Sequence, residues 1–174
     1  MEKYVNMADI ILSPEPNDND IIALIELLFF AYRDFVSDPD EVLSGLGFGR
    51  AHHRVVHFVG RDPGMTVAQL LDILKITKQS LGRVLKELID KDYVYQKEGE
   101  QDRRQRLLHL TEKGEKLRQL LMAPQIARIR RALEGAGAEA GHNYRAVLLN
   151  MVSPENRAAV TEFIAKAAAG GKKG

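Results

Sequence analysis

Apolar residues recur along most of this chain with the spacing of α-helices, and the first such segment is unusual. Over residues 20–37, apolar side chains cover almost the whole circumference of the predicted helix. They are Ile21, Ile22, Leu24, Ile25, Leu27, Leu28, Phe29, Phe30, Tyr32, Phe35 and Val36. A helix that is apolar on nearly all sides must be buried on nearly all sides. A small domain rarely supplies that much cover, so the pattern predicts that a second subunit packs against this helix.

Two short amphipathic helices are predicted over residues 66–90. Thr66 and Gln69 fit a capping box at the start of the first helix. After a brief turn at Lys75 and Ile76, Thr77 is the expected N-cap of the second helix. The apolar residues of that second helix occupy one face: Leu81, Val84, Leu85 and Leu88. Two short helices joined by a brief turn predict a helix-turn-helix.

The spacing of apolar positions then changes to the two-residue period of β-strands. Residues 93–97 and 106–110 are predicted as two paired strands, and residues 98–105 form a polar tip between them. Helix, turn, helix and hairpin together make a winged helix-turn-helix. The predicted fold class is therefore mainly α with a small β-hairpin wing (α+β), a winged helix-turn-helix flanked by N- and C-terminal helices.

Further helices complete the expected layout. Glycines at 45, 47 and 49 indicate a loop before a helix at about 50–60. A long helix is expected from Thr111 to about Leu133 with a kink at Pro124, followed by helices at about 142–151 and from Pro154 to about Ala168. We predict an N-terminal arm and dimerisation helix over 1–48 (the arm itself irregular over 1–19), a DNA-binding domain over 49–111, C-terminal helices over 112–169 and a disordered tail over 170–174.

The distribution of charge along the chain bears on what the protein binds. The formal net charge is only +1, yet residues 1–48 carry two basic and ten acidic residues, whereas residues 49–174 carry 23 basic and 14 acidic ones. Such a split is typical of an assembly-forming part joined to a part that meets a polyanion. An unevenly charged, solvated surface is the simpler alternative.

Several classes of protein are excluded or disfavoured by composition. The chain has no cysteine, which excludes disulfides and thiolate metal sites. No apolar run reaches the roughly 18–20 residues that span a bilayer, and the N-terminus lacks the pattern of a signal peptide. A phosphate-cradling glycine loop, a nucleophile elbow and a catalytic triad are all missing from the sequence. We therefore expect a cytoplasmic protein without membrane association, enzymatic activity or cofactor.

The second helix of the pair carries the candidate DNA-binding residues. Gln79 and Arg83 lie one turn apart on its exposed face, and these side chains can bond adenine and guanine bidentately in a major groove. Thr77, Lys78 and Ser80 surround the helix N-terminus and suit phosphate contacts, which position a protein without specifying sequence. Lys86 on the same face and the capping Thr66 complete the candidate set on the two helices. Gly82 is unusual inside a helix; it either allows another backbone to approach or is simply tolerated.

The tip of the predicted wing is basic. Arg103 and Arg104 are placed to enter a minor groove, where negative potential concentrates in A·T-rich stretches. Asp102 has two interpretations: it bonds the arginine side chains, or it caps the turn. All three residues are candidate DNA contacts.

The predicted helix at 50–60 is the candidate ligand site. Its basic residues recur at helical spacing, and His52 falls among valines and should be part-buried. The candidate ligand-binding residues are Arg50, His52, His53, Arg54 and His57. Surface arginines and a hydrogen-bonded core histidine are the alternative explanation. His53 and His57 have a metal-binding spacing, but no third ligand is identifiable, so we predict no metal site.

Two stretches resemble one family. Residues 102–114, from Asp102-Arg103-Arg104 through Leu110-Thr111-Glu112-Lys113-Gly114, look like the wing signature of multiple-antibiotic-resistance regulators (the MarR family). Residues 76–85 resemble the recognition helix of that family. The resemblance implies a homodimer that is held by the first helix and by C-terminal dimerisation helices over 112–169. It also implies that this dimer binds a roughly palindromic operator in double-stranded DNA, usually as a repressor, with a small-molecule effector between its dimer and DNA-binding parts.

One position departs from the family pattern. Asp92 stands where the family usually has a glycine in left-handed conformation, and aspartate tolerates that conformation better than most residues. We therefore expect the turn to be preserved.

A winged-helix protein-interaction module and an effector-independent regulator remain the alternative functions.

Overall fold

The computed structural model describes residues 16–99 and 102–170, the last four of them by backbone alone. The chain divides into two compact units, residues 1–37 and residues 38–174. Most of the predicted N-terminal arm and the predicted tail beyond residue 170 lie outside the described residues. The domain boundaries at residues 48, 111 and 169 stay predictions.

The first unit contains helix α1 (Asp18–Ser37). Asn17 starts it, because its Oδ1 atom accepts the backbone N–H of Asn19 at 2.9 Å. Asp18 and Asp20 place negative charge in the first turn, where the helix dipole favours it. No residue of α1 is buried, and Ile25 and Phe29 are 61% and 63% exposed.

The second unit begins with helices α2 (Asp40–Gly45) and α3 (Arg50–Arg61) and strand β1 (Met65–Thr66). Helices α4 (Val67–Leu74) and α5 (Lys78–Asp90) and strands β2 (Val94–Glu98) and β3 (Arg106–Leu110) follow, and then the long helix α6 (Glu112–Ala136), α7 (Ala140–Met151) and α8 (Pro154–Gly170). Pro124 lies inside α6. None of the helices within the described ranges is long and apolar enough to cross a membrane.

The sheet differs from the predicted hairpin. It has three antiparallel strands in the order β1, β3, β2, with Met65 opposite Leu108 and Val94 opposite Leu110. Strand β1 has two residues, which is too short to produce an alternating pattern in the sequence. The prediction of two strands was therefore incomplete.

A short helix was also missed. Where the sequence suggested only a break and a glycine loop, α2 covers six residues and buries Leu43. Six residues make fewer than two helical turns, so the amphipathic period cannot be recognised there. The glycine-containing loop is real but begins after Gly45.

The core lies between α3, α4, α5, α6 and the inner face of the sheet. All four predicted core residues of α5 are buried, as are Leu70 of α4, three valines of α3 and Leu108 of β3. Burial of each large apolar side chain contributes about 1.5–3 kcal/mol. The predicted inward face of the helix-turn-helix is confirmed.

The closing turn of α5 and the start of α6 meet at one point. Asp92 has φ +61°, the left-handed conformation expected there. Its carbonyl oxygen accepts the Thr111 hydroxyl at 2.7 Å. Gly114 lets α6 approach Tyr93, the residue just before β2, because a Cβ atom at position 114 would lie 2.0 Å from the carbonyl oxygen of Tyr93. The close fit explains why glycine occupies this position.

Candidate nucleic-acid interface

The first helix of the pair begins with the predicted capping box. The backbone N–H of Gln69 donates to the Thr66 hydroxyl at 3.2 Å, and the Gln69 side-chain oxygen accepts the Thr66 backbone N–H at 2.8 Å. The Thr66 hydroxyl also donates to that side-chain oxygen at 3.0 Å. At its other end α4 is closed by Lys75 in left-handed conformation, with φ 50°. These local bonds set the short turn between α4 and α5.

The N-terminus of α5 is exposed and locally ordered. The Thr77 hydroxyl accepts the backbone N–H of Ser80 at 3.1 Å and donates to the Ser80 hydroxyl at 2.9 Å. The Ser80 hydroxyl therefore keeps its own proton available for an acceptor outside the chain. Thr77, Lys78, Gln79 and Ser80 are all exposed. Uncapped backbone N–H groups and the positive end of the helix dipole favour an anion at this point.

The side chains on the exposed face of α5 differ in whether they pair with other described residues. Gln79 and Arg83 are exposed, and neither side chain forms a hydrogen bond or ion pair with any residue in 16–99 or 102–170. Lys86, in contrast, pairs with Asp90 one turn later on the same helix. Gly82 is exposed and a Cβ there would meet no atom of the described residues within 4 Å, so no close backbone approach from that part of the chain requires it.

The wing tip is shaped by Asp102. Its Oδ1 atom accepts the backbone N–H of Arg104 at 2.9 Å, which fixes an Asx turn. The backbone N–H of Gly99 donates to the carbonyl of Gln105 at 3.1 Å and closes the loop. Of the two interpretations of Asp102, the structure supports turn capping. Arg103 and Arg104 are exposed.

The predicted ligand residues on α3 do not share one environment. Arg50 forms two hydrogen bonds with Asp40 at 2.7 and 3.1 Å, and His52 is buried. His53 is half-buried, and burial lowers its pKa. Arg54 is exposed. Within the described part of the chain no three His, Cys, Asp or Glu side chains are grouped as metal ligands would be.

His57, another member of that set, lines a cavity. The cavity measures about 930 Å³ and lies between α3, α4, α6 and α8. Beside His57, its lining includes Arg61, Ile73, Lys75, Arg118 and Phe163. The Nδ1 atom of His57 is buried without a hydrogen-bond partner among the described residues. Burial, reinforced by the charges of His53, Arg118 and Arg61, lowers the pKa of His57 to about 4.

Most of the cavity could not be found from sequence. Arg118 and Phe163 come from helices distant along the chain, and Phe163 packs against Phe58 with ring centroids 5.7 Å apart. Arg118 is held in place by Glu115, through bonds of 2.6 and 2.8 Å. In the sequence, the cavity was indicated only by the helical spacing of His57 and Arg61.

Comparisons with known proteins place the chain in a family. Residues 46–105 match the model of the MarR family. The chain is 49% identical over 133 residues to the HTH-type transcriptional regulator PetP of Rhodobacter capsulatus, covering 76% of this chain and 80% of that protein. The chain belongs to the MarR family of transcriptional regulators.

Solved structures of other proteins share the fold. FabT of Streptococcus pneumoniae, solved in complex with DNA, superposes with a TM-score of 0.63 at 23% identity, covering 76% of this chain and 94% of that one. A MarR-family protein of Mycobacterium tuberculosis in complex with p-aminosalicylic acid gives a TM-score of 0.54 at 22% identity, covering 75% and 98%. The winged-helix assignment made from sequence is therefore confirmed.

Proposed function

We propose that this MarR-family regulator is a cytoplasmic homodimeric repressor that reads a roughly palindromic operator and responds to a small molecule. The observation that carries the DNA-binding part is the exposed face of α5. Gln79 and Arg83 lie one turn apart there without partners among the described residues, next to a helix N-terminus suited to phosphate. In the proposed complex α5 lies in the major groove.

Each residue has a proposed contact. Gln79 and Arg83 bond base edges, where a good bidentate pair discriminates by about 1–3 kcal/mol. Thr77, Lys78 and Ser80 bond phosphates, and Thr66 adds a contact at the start of α4. Lys86 contributes less because Asp90 already pairs with it. Arg103 and Arg104 enter the minor groove on the turn that Asp102 holds.

The homodimer is supported by α1. Its apolar residues are exposed on the single chain, including Ile25 and Phe29 at more than half of their accessible surface. A contiguous apolar surface of this kind marks a protein–protein contact. We assign residues 1–48 and 112–169 to dimerisation and residues 49–111 to DNA. A two-fold dimer would present two α5 helices to half-sites about one helical turn of DNA apart.

The cavity is the proposed effector site. Apolar side chains such as Ile73 and Phe163 line it together with Arg61, Lys75 and Arg118, which suits a largely apolar molecule with an acidic group. The M. tuberculosis relative was solved with such an acid. Ile73 lies at the end of α4. Lys75 lies in the turn that follows, three residues before the start of α5. An occupant that prefers one placement of this turn shifts the population of DNA-binding conformations.

A salt series on a selected operator tests the DNA-binding proposal. An operator duplex is first selected from random DNA with the wild-type protein, and its affinity is measured by fluorescence anisotropy between about 50 and 200 mM salt. We expect log K to fall linearly with log salt concentration, with a slope of about −0.9 for each phosphate contacted. A scrambled duplex of the same length is the control. Failure to bind any duplex at low salt would contradict the proposal.

A further inference from the structure

One buried histidine links the start of α3 to the DNA-facing helix. His52 is 9% exposed, and its Nδ1 atom accepts the backbone N–H of Gly49 at 3.1 Å. The neutral ring must then carry its proton on Nε2, because only one ring nitrogen is protonated. This Nε2–H donates to Oε2 of Glu87 on α5 at 3.0 Å. The backbone N–H of Gly49 thus determines that the His52 ring donates from Nε2, toward Glu87.

The position of the ring is fixed by packing as well. His52 stacks on Phe48, with ring centroids 4.5 Å apart and planes 14° from parallel. Phe48 in turn packs against Tyr93 in a T-shaped arrangement, with ring centroids 5.3 Å apart. The Nζ atom of Lys91 lies over the Phe48 ring, 4.5 Å from its centroid. A ring held on its face and at both nitrogens is a rigid anchor for the carboxylate it bonds.

The carboxylate of Glu87 has another partner within reach. Glu87 follows Arg83 by four residues on α5, and side chains at that spacing are neighbours on the surface of a helix. The Glu87 side chain is 41% exposed, so burial alone does not prevent it from turning outward. Nevertheless, Arg83 has no ion pair with any of the described residues.

We propose that His52 is a positioning residue that keeps Arg83 available for DNA by holding the Glu87 carboxylate against α3. Without His52, the Glu87 carboxylate turns outward, pairs with Arg83 and lies closer to the DNA phosphates. This inference rests on the proposed role of Arg83 as a base-reading residue. It assigns to His52 an effect on DNA binding that comes from the charge of Glu87 rather than from the fold.

The test compares His52→Ala with the double variant His52→Ala/Glu87→Gln. Both variants lack the imidazole of residue 52, its stacking on Phe48 and its hydrogen bond from the backbone N–H of Gly49. They differ only in whether residue 87 carries a carboxylate. We expect His52→Ala to bind the selected operator about threefold more weakly than wild type, since an i, i+4 pair competes for Arg83 and the freed charge repels phosphate. The double variant should recover most of that loss. Glu87→Gln alone should bind within about twofold of wild type, because it removes the competing charge and leaves Arg83 in place.

Two further measurements separate the possible outcomes. Thermal unfolding of His52→Ala and the double variant shows whether they are equally folded. In an Arg83→Ala background, His52→Ala should cause a smaller loss of operator affinity than it causes in the wild-type background, because only the repulsion between Glu87 and phosphate remains. If Arg83→Ala lowers affinity but His52→Ala and the double variant bind alike, His52 is only a structural anchor and the inference is overturned. If Arg83→Ala leaves operator affinity unchanged, the proposed role of Arg83 in reading bases is wrong, and the inference that rests on it is overturned with it.

Discussion

Arg128 and Asp38 are joined by two hydrogen bonds, from Nε to Oδ2 at 2.7 Å and from Nη2 to Oδ1 at 2.6 Å. The pair connects α6 to the residue two positions before α2. The side chain of Asp38 is 15% exposed and that of Arg128 is 39% exposed. Hydrogen bonding from Arg128 holds the pKa of Asp38 below its usual value.

Breaking this pair should destabilise the fold. We expect Arg128→Ala to lower the free energy of unfolding by about 1 kcal/mol, less than for a fully buried pair because solvent screens the exposed guanidinium. Since the pKa of Asp38 is lower folded than unfolded, the contribution is present at neutral pH and is lost as pH falls through the folded pKa. Urea denaturation of the variant at neutral pH measures the loss, and Arg130→Ala on the exposed side of α6 is the control. Equal stability of both variants would contradict the prediction.

Arg83→Ala should mainly reduce sequence specificity. Removing a bidentate base contact costs about 1–3 kcal/mol on the correct operator and much less on non-specific DNA. Affinities for the selected operator and a scrambled duplex at the same salt concentration give the specificity ratio. Lys116→Ala, an exposed lysine of α6, is a control for loss of one positive charge. A variant with an unchanged ratio would remove Arg83 from the base-reading residues.

Replacing both wing arginines should act differently. Arg103→Ala/Arg104→Ala should weaken binding to operator and scrambled duplex by similar factors, because minor-groove and backbone contacts carry little base information. The slope of log K against log salt should also become shallower by about one for each phosphate that the wing no longer neutralises. Asp102→Asn, whose side-chain oxygen can still accept the Arg104 N–H, should bind like wild type. A loss confined to the operator would instead assign base reading to the wing.

Local signals were sufficient for the parts of the site that are built from neighbouring residues. The capping box of Thr66 and Gln69 and the N-cap of Thr77 were predicted because each depends on residues three positions apart. The cavity depends on Arg118 and Phe163, which only the packing of α6 and α8 brings beside His57. The bond from His52 to Glu87 spans 35 residues and leaves no periodic sign in the sequence. Tertiary contacts of this kind could not be predicted from the spacing of residue types.

Gly114 gives a stability prediction that follows from the contact of α6 with the backbone of Tyr93, just before β2. Gly114→Ala should destabilise the fold by about 1–3 kcal/mol, because the new methyl group meets the backbone carbonyl of Tyr93, which cannot move as a side chain could. Gly82→Ala is the matched control, with open space around the new methyl group. There the change should stabilise α5 by about 1 kcal/mol. Thermal unfolding of the two variants should therefore shift in opposite directions, and a shift in the same direction would contradict the packing at Gly114.

His57 should make stability depend on pH in the mildly acidic range. Its pKa is lowered by burial to about 4 in the folded chain, whereas an unfolded histidine titrates near about 6.5. Between these values the unfolded chain binds a proton that the folded chain does not, so stability falls as pH decreases from about 6.5 towards 4. Above that range His57 contributes no pH dependence. Urea denaturation at about pH 7.5 and about pH 5 should show a smaller difference for His57→Gln and for His57→Phe than for wild type. The two replacements differ in polarity and agree only in lacking a titratable ring, so the full wild-type difference in both would show that His57 is not the group responsible.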